Sequence, residues 1–299
     1  MRDLIVNHIH QHMKNDANVV FLTGDLGFGV LTELFKDFPD RVINCGVAEQ
    51  NMTAVAAGLA LLGKKVFTYS IGNFNTLRAL EQIRNDVCYH DLDVNILSVG
   101  GGFSYGQLGA SHFALEDVGI LSCLPNLQVF TPGSKIGALE SISCALREKR
   151  PSYIRIDKSM YDGSNYLKPY VKNPDILILA MGGILCDAIE AANQLKNSHD
   201  IRVDVKEVYS LLNFDWSLLE KTNDSLKLII TLEEHVETGG LYEKVIRQLF
   251  EKRLYKQKIL AFNSGNQFPK IVGSQKYLRK HFKIDSKSIV EKTLCALND

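Results

Sequence analysis

A chain of 299 residues, 45% of them hydrophobic, is long enough to bury two cores of ordinary size. Its 34 Lys and Arg balance 34 Asp and Glu, so no net field draws it to nucleic acid or to an anionic membrane, and small molecules or neutral protein surfaces are the expected partners. No apolar run approaches the roughly 20 residues of a membrane span, and the opening Met1-Arg-Asp-Leu-Ile-Val-Asn-His8 lacks the basic-then-apolar plan of an export signal, which predicts a cytoplasmic protein.

Short β-branched runs alternate with helical patterns along the chain, the mark of an α/β fold with mainly parallel sheets. In the first half the expected strands are Val19–Thr23, Arg41–Asn44, Lys65–Tyr69, Asp93–Val99, Gln128–Thr131 and Ser152–Ile156. The clearest helix runs from Glu49 to Leu62, where Met52, Val55, Ala56, Leu59 and Leu62 recur at helical spacing and Gly63 supplies the stop. From Asp162 to Pro174 the pattern breaks into turn formers with two prolines, which predicts a linker over 164–174 between a first domain, 1–163, and a second, 175–299. Strands are then expected at Asp175–Ala180, Ile201–Val205, Leu226–Leu232 and Lys258–Phe262. The fold class is thus α/β, two doubly wound and mainly parallel domains.

Cys45, Cys88, Cys123, Cys144, Cys186 and Cys295 form no Cys-x-x-Cys pair and read as reduced core thiols. His8 and His12 share a helical face with no further ligand nearby, so the His8-x-His10-x-His12 run reads as a solvated face, and no metal ligands are assigned. The loop Gly100–Gly109 follows a strand but lacks the spacing of a dinucleotide fingerprint.

The stretch richest in chemistry is Arg41-Val-Ile-Asn-Cys-Gly-Val-Ala-Glu-Gln-Asn-Met52, a strand passing through a Gly turn into a helix that opens on an acid. Taken alone, Glu49 and Gln50 complement the positive end of the helix dipole. The stretch also resembles the Gly-Ile-Ala-Glu-Gln-Asn signature of the thiamine-diphosphate pyrimidine-binding domain in the transketolase and deoxyxylulose-phosphate-synthase family. Arg78-Ala-Leu-Glu-Gln-Ile-Arg84, His112-Phe-Ala-Leu-Glu-Asp-Val118 and Leu124-Pro-Asn-Leu-Gln-Val-Phe-Thr-Pro132 are similar to that family's motifs in the same order. Thr231-Leu-Glu-Glu-His-Val-Glu-Thr-Gly-Gly-Leu241 and Gly273-Ser-Gln-Lys-Tyr-Leu278 resemble the transketolase C-terminal domain.

The resemblance implies a role for each matching residue. Glu49 would activate the aminopyrimidine of thiamine diphosphate through a hydrogen bond to its N1′. Asp25 and Leu26 match the family's cofactor turn, and Phe74 lies near its stacking aromatic. His112 matches a histidine that faces the reacting carbon, as catalytic and substrate-binding residue. Arg155 and Lys158 match cations for a sugar phosphate, Lys158 standing where transketolases carry Arg. Gly100 replaces a substrate-binding His and Leu108 an Asp that reads a sugar hydroxyl, so the substrate is expected to depart from the standard ketose phosphates.

No Gly-Asp-Gly followed by Asn, the family's diphosphate and Mg²⁺ motif, occurs in the chain. The resemblance therefore implies the carboxy-terminal subunit of a split enzyme: an amino-terminal partner subunit holds Mg²⁺ and the diphosphate, in an α2β2 heterotetramer that moves a two-carbon ketol unit between sugar or sugar-phosphate substrates. Two other expectations remain open, a deoxyxylulose-phosphate-synthase-like or 2-oxo-acid-dehydrogenase β subunit, and a non-catalytic regulatory or binding subunit.

Overall fold

The strands of the first sheet other than the edge strand Val42–Asn44 are buried on both faces, because helices cover both sides. In the computed structural model, which describes residues 1–163, 171–220, 226–254 and 256–298, the first domain runs α1 (Arg2–Asn15), β1 (Val19–Thr23), α2 (Thr32–Asp37), β2 (Val42–Asn44), α3 (Glu49–Leu61), β3 (Lys65–Ile71), α4 (Leu80–Gln82), β4 (Val94–Val99), α5 (Asp117–Ser122), β5 (Gln128–Phe130), α6 (Lys135–Arg147) and β6 (Ser152–Ile156). All six strands are parallel in the order β2-β1-β3-β4-β6-β5. Along β1, Val19 and Phe21 face a layer with Ile5, Ile9 and Met13 of α1 and Ile142 of α6, while Val20 and Leu22 face Met52 and Ala56 of α3. Two-sided burial explains the continuous apolar runs, and each buried large side chain contributes roughly 1.5–3 kcal/mol.

The second domain holds β7 (Ile176–Met181), α7 (Leu185–His199), β8 (Val203–Glu207), β9 (Leu228–Glu233), α8 (Leu241–Glu251), β10 (Lys258–Phe262), α9 (Gln275–His281) and α10 (Ser286–Asn298). Its parallel sheet is ordered β10-β9-β7-β8. Each expected strand is found, with ends moved by a residue or two. Of the expected linker, residues 164–170 lie outside the described residues. No helix among the described residues is long and apolar enough to cross a membrane.

Two details correct the sequence reading. Only Cys88 is a buried thiol; Cys45, Cys144 and Cys186 are half-buried, and Cys123 and Cys295 are exposed, all six being free. The histidine run is not a uniformly solvated face either: His10 turns inward, and its Nε2 meets Asp37 Oδ2 at 2.8 Å.

Candidate functional site

After β1 the chain steps to one side to form β2 and then crosses back to form β3, so the winding reverses between β1 and β3. The carboxyl ends of strands at such a reversal form a natural crevice. Glu49 opens α3 immediately beyond β2, and its side chain reaches across the end of β1 to Ser70 of β3. Only 1% of it is exposed. Ser70 Oγ donates to Glu49 Oε1 at 2.9 Å, and an Arg78 guanidinium nitrogen donates to Oε2 at 2.7 Å. Gly24, just past β1, makes this reach possible: a Cβ there would lie 3.2 Å from Ser70 Oγ and 3.3 Å from Glu49 Oε1. A buried carboxylate without such partners would cost several kcal/mol.

From Glu49 the site continues through Arg78. The Arg78 guanidinium lies over the Phe74 ring, 4.4 Å from its centroid. Phe74 in turn meets the His112 imidazole edge-on at 5.1 Å. His112 stands on the loop after β4, its Nδ1 3.0 Å from Ser111 Oγ. Beyond it, Tyr105 approaches His112 with ring centroids 6.4 Å apart and carries the Lys158 ammonium over its face at 4.3 Å. Lys158 is exposed and lines a cleft of ≈ 340 Å³ with Tyr105, Gln107, Ser274 and Gln275. The Tyr105 ring also fills the room beside Gly100, where φ is +101° and a Cβ would run into it.

Asp25 belongs to the same edge of the sheet. It is exposed, in the left-handed region at φ 57°, and is tied to Asn44 at the end of β2 by hydrogen bonds of 2.8 and 3.1 Å. Leu26 is half-buried against the layer formed with α1, and its carbonyl accepts from Thr23 Oγ1 at 3.0 Å. The structure thus brings Glu49, Phe74, His112 and Lys158 onto one edge.

Arg155 requires a correction. It lies inside β6 and is 3% exposed, with one guanidinium nitrogen donating to the carbonyls of Ala114 at 2.8 Å and Glu234 at 2.7 Å. Its Nε faces Asp117 at 3.6 Å. Facing the second domain rather than the cleft, Arg155 fastens the two domains and is not a substrate cation. Two residues of the site escaped the sequence reading, Ser70 and Arg78. The parallel register pairing Thr23 with Tyr69 puts Gly24 and Ser70 one step further on, a signal that could have found Ser70.

Residues 1–163 match the transketolase pyrimidine-binding domain, and residues 166–289 match the transketolase C-terminal domain. The chain belongs to the transketolase family. It is 31% identical to an apulose-4-phosphate transketolase subunit of Actinobacillus succinogenes, over 98% of this chain and 97% of that one. A solved split-gene transketolase, in an inactive β4 tetramer, superposes with TM-score 0.84 at 30% identity, covering 99% of this chain and 98% of that one. A transketolase from Pichia stipitis shares the fold with TM-score 0.77 at 17% identity, and there the match takes in 99% of this chain but 45% of the other. The similarity therefore runs the full length of split transketolase subunits.

Transketolase membership implies thiamine diphosphate, and the residues present fit one half of it. The close approach at Gly24, the buried Glu49 carboxylate and the Phe74 ring suit a flat heteroaromatic ring with a hydrogen-bonding edge. Among the described residues no group of three or more His, Cys, Asp or Glu could hold a metal ion beside a diphosphate.

Proposed function

We propose that this chain is the carboxy-terminal subunit of a thiamine-diphosphate-dependent transketolase, in which it supplies the aminopyrimidine side of a site completed by an amino-terminal partner. The observation that carries the reading is Glu49, a carboxylate buried at the winding reversal with its oxygens held by Ser70 and Arg78. When bound, thiamine diphosphate supplies a carbon nucleophile that takes up a two-carbon ketol unit from one sugar and hands it to another. Glu49 holds a proton at N1′ of the aminopyrimidine, and Ser70 fixes the carboxyl plane. Phe74 offers an apolar face to the ring, and the turn of Asp25 and Leu26 borders it. His112 hydrogen-bonds a substrate hydroxyl beside the reacting carbon. Lys158, over the Tyr105 ring, holds an anionic end of the sugar as a point charge.

Mg²⁺ and the diphosphate fall to the partner subunit. The need for association is supported by α3, which after its polar first turns exposes apolar residues as well as burying them. Its outward residues Val55 and Leu61 are exposed, as are Val47 just before the helix and Leu62 just after it, Leu62 by 80%. An exposed apolar patch of this kind is a usual interaction surface, and two copies paired across it with two partner chains give an α2β2 assembly. The split-gene relative in its inactive β4 form supports the same dependence on a partner. Gly100 and Leu108 take polar contacts away from the substrate loop, which supports a modified sugar, in line with the apulose 4-phosphate named for the Actinobacillus relative.

The test is turnover of the reconstituted pair with ketose donors and aldose acceptors. Glu49→Gln is expected to fold and to associate normally while losing at least about a thousandfold in kcat. Near-normal turnover in that variant overturns the assignment, and turnover of pyruvate in preference to ketoses redirects it to a different donor.

A further inference from the structure

Arg78 occupies the space between the two groups that the proposed function assigns to the aminopyrimidine. Its guanidinium is a flat N–C–N unit that donates along its edge to Glu49 Oε2 at 2.7 Å and lies with its carbon 4.4 Å from the centroid of Phe74. An aminopyrimidine would use the same two groups: its N1′ accepts from the protonated carboxyl where the guanidinium donates to the carboxylate, and its face meets the aromatic ring. Both groups cannot use Oε2 and the same face of Phe74 together.

We propose that Arg78 is the residue that controls entry of the aminopyrimidine: its guanidinium holds the slot between Glu49 and Phe74 and leaves it when the ring arrives. This inference rests on the reading of Glu49 as the cofactor carboxyl. Two further observations support exchange. The Arg78 side chain is 43% exposed whereas Glu49 is 1% exposed, so the arginine has a route to solvent that the acid does not. Arg78 also sits on a short 3₁₀ turn, Leu77–Ala79, so only its side chain need swing. A stand-in of this kind keeps a buried carboxylate paired and lowers the apparent affinity of the ring by the fraction of molecules in which the slot is closed.

The test uses the full chain and 4-amino-5-hydroxymethyl-2-methylpyrimidine as probe, its dissociation constant read by NMR titration for the wild type, Arg78→Ala, Arg78→Met, Glu49→Gln and the double variant Arg78→Ala with Glu49→Gln. Circular dichroism checks folding, and Arg78→Met, which keeps an unbranched aliphatic stem but no guanidinium to bind Glu49, serves should Arg78→Ala unfold. Arg78→Ala and Arg78→Met are expected to bind at least about tenfold more tightly than wild type, with the gain lost in the double variant, a pattern that a merely structural arginine would not give. Binding no tighter than wild type in both arginine variants overturns the proposal. Should both arginine variants fail in this way while the wild type binds the probe and Glu49→Gln does not, the Glu49 reading stands and only the role of Arg78 is removed. Binding indifferent to Glu49, or absent from every variant, removes both.

Discussion

The two sheets share one winding, in which the second strand of each lies outside the first and the third returns to its other side, yet their carboxyl edges meet different neighbours. In the first domain that edge carries Asp25, Phe74, His112 and Lys158 on the loops after the strands, with Glu49 at the start of α3, and Lys158 lines a cleft. In the second domain the strand-end acids are taken up by the first domain or by their own helix. Glu207, closing β8, accepts from the Gly133 and Ser134 amides at 2.7 and 2.9 Å. Glu233, closing β9, accepts from Leu241 and Tyr242 at the start of α8 at 2.7 and 2.9 Å. Glu234 accepts from the Phe103 amide at 3.0 Å and is paired with Arg279. Topology supplies a crevice twice; what packs against it decides whether chemistry is available there.

Breaking the sealed edge is expected to cost stability, whereas changes on the open edge should cost turnover. The largest stability effect is expected at Arg155, which spans the junction. Arg155→Met leaves Asp117 and two carbonyls without their buried partner, and a loss of about 3 kcal/mol is expected in urea or thermal unfolding. Affinity for sugar substrates in the folded protein should be unchanged. Unaltered stability with a raised KM would return Arg155 to the substrate.

A smaller effect is expected at Glu233. Burial pushes its carboxyl up to about 7, against the pull of the Tyr242 and Leu241 amides and of Arg155. A carboxyl raised in the folded state binds more protons there than in the unfolded chain between about 4.5 and about 7, so stability falls as pH rises through that window. The loss should be at most about 3 kcal/mol. Thermal melts of wild type and Glu233→Gln across pH 4.5 to 8 should differ by this slope. His235 beside it, lowered by burial, contributes the opposite sign and is common to both proteins. Parallel melting curves would show that Glu233 does not titrate in the fold.

The same contrast explains what could be read from sequence. Strands such as Val19–Thr23 and Leu228–Glu233 were legible because short apolar, β-branched runs suit a strand buried on both faces. Glu49 was singled out by the resemblance of its stretch to a family signature, since a Gly turn, an acid and a helix taken alone say only that the acid complements the helix dipole. Arg155 was not, since a cation near a strand end looks the same whether it faces solvent or a second domain, and its partner Glu234 is 79 residues away. Arg78 stood in a quoted motif, but its contact with Glu49 depends on the path of the turn through Gly72 and Asn73, which spacing does not encode. The exposure of Cys123 and Cys295 likewise depends on where helices end against the core rather than on local hydrophobicity.

The most direct measurement is a crystal structure of this chain with its amino-terminal partner, thiamine diphosphate and Mg²⁺. The account predicts a Glu49 carboxyl oxygen within about 3 Å of N1′, the Arg78 guanidinium withdrawn from the Phe74 face, and the diphosphate on the partner. An aminopyrimidine bound elsewhere, with Glu49 still closed on Arg78, would contradict it.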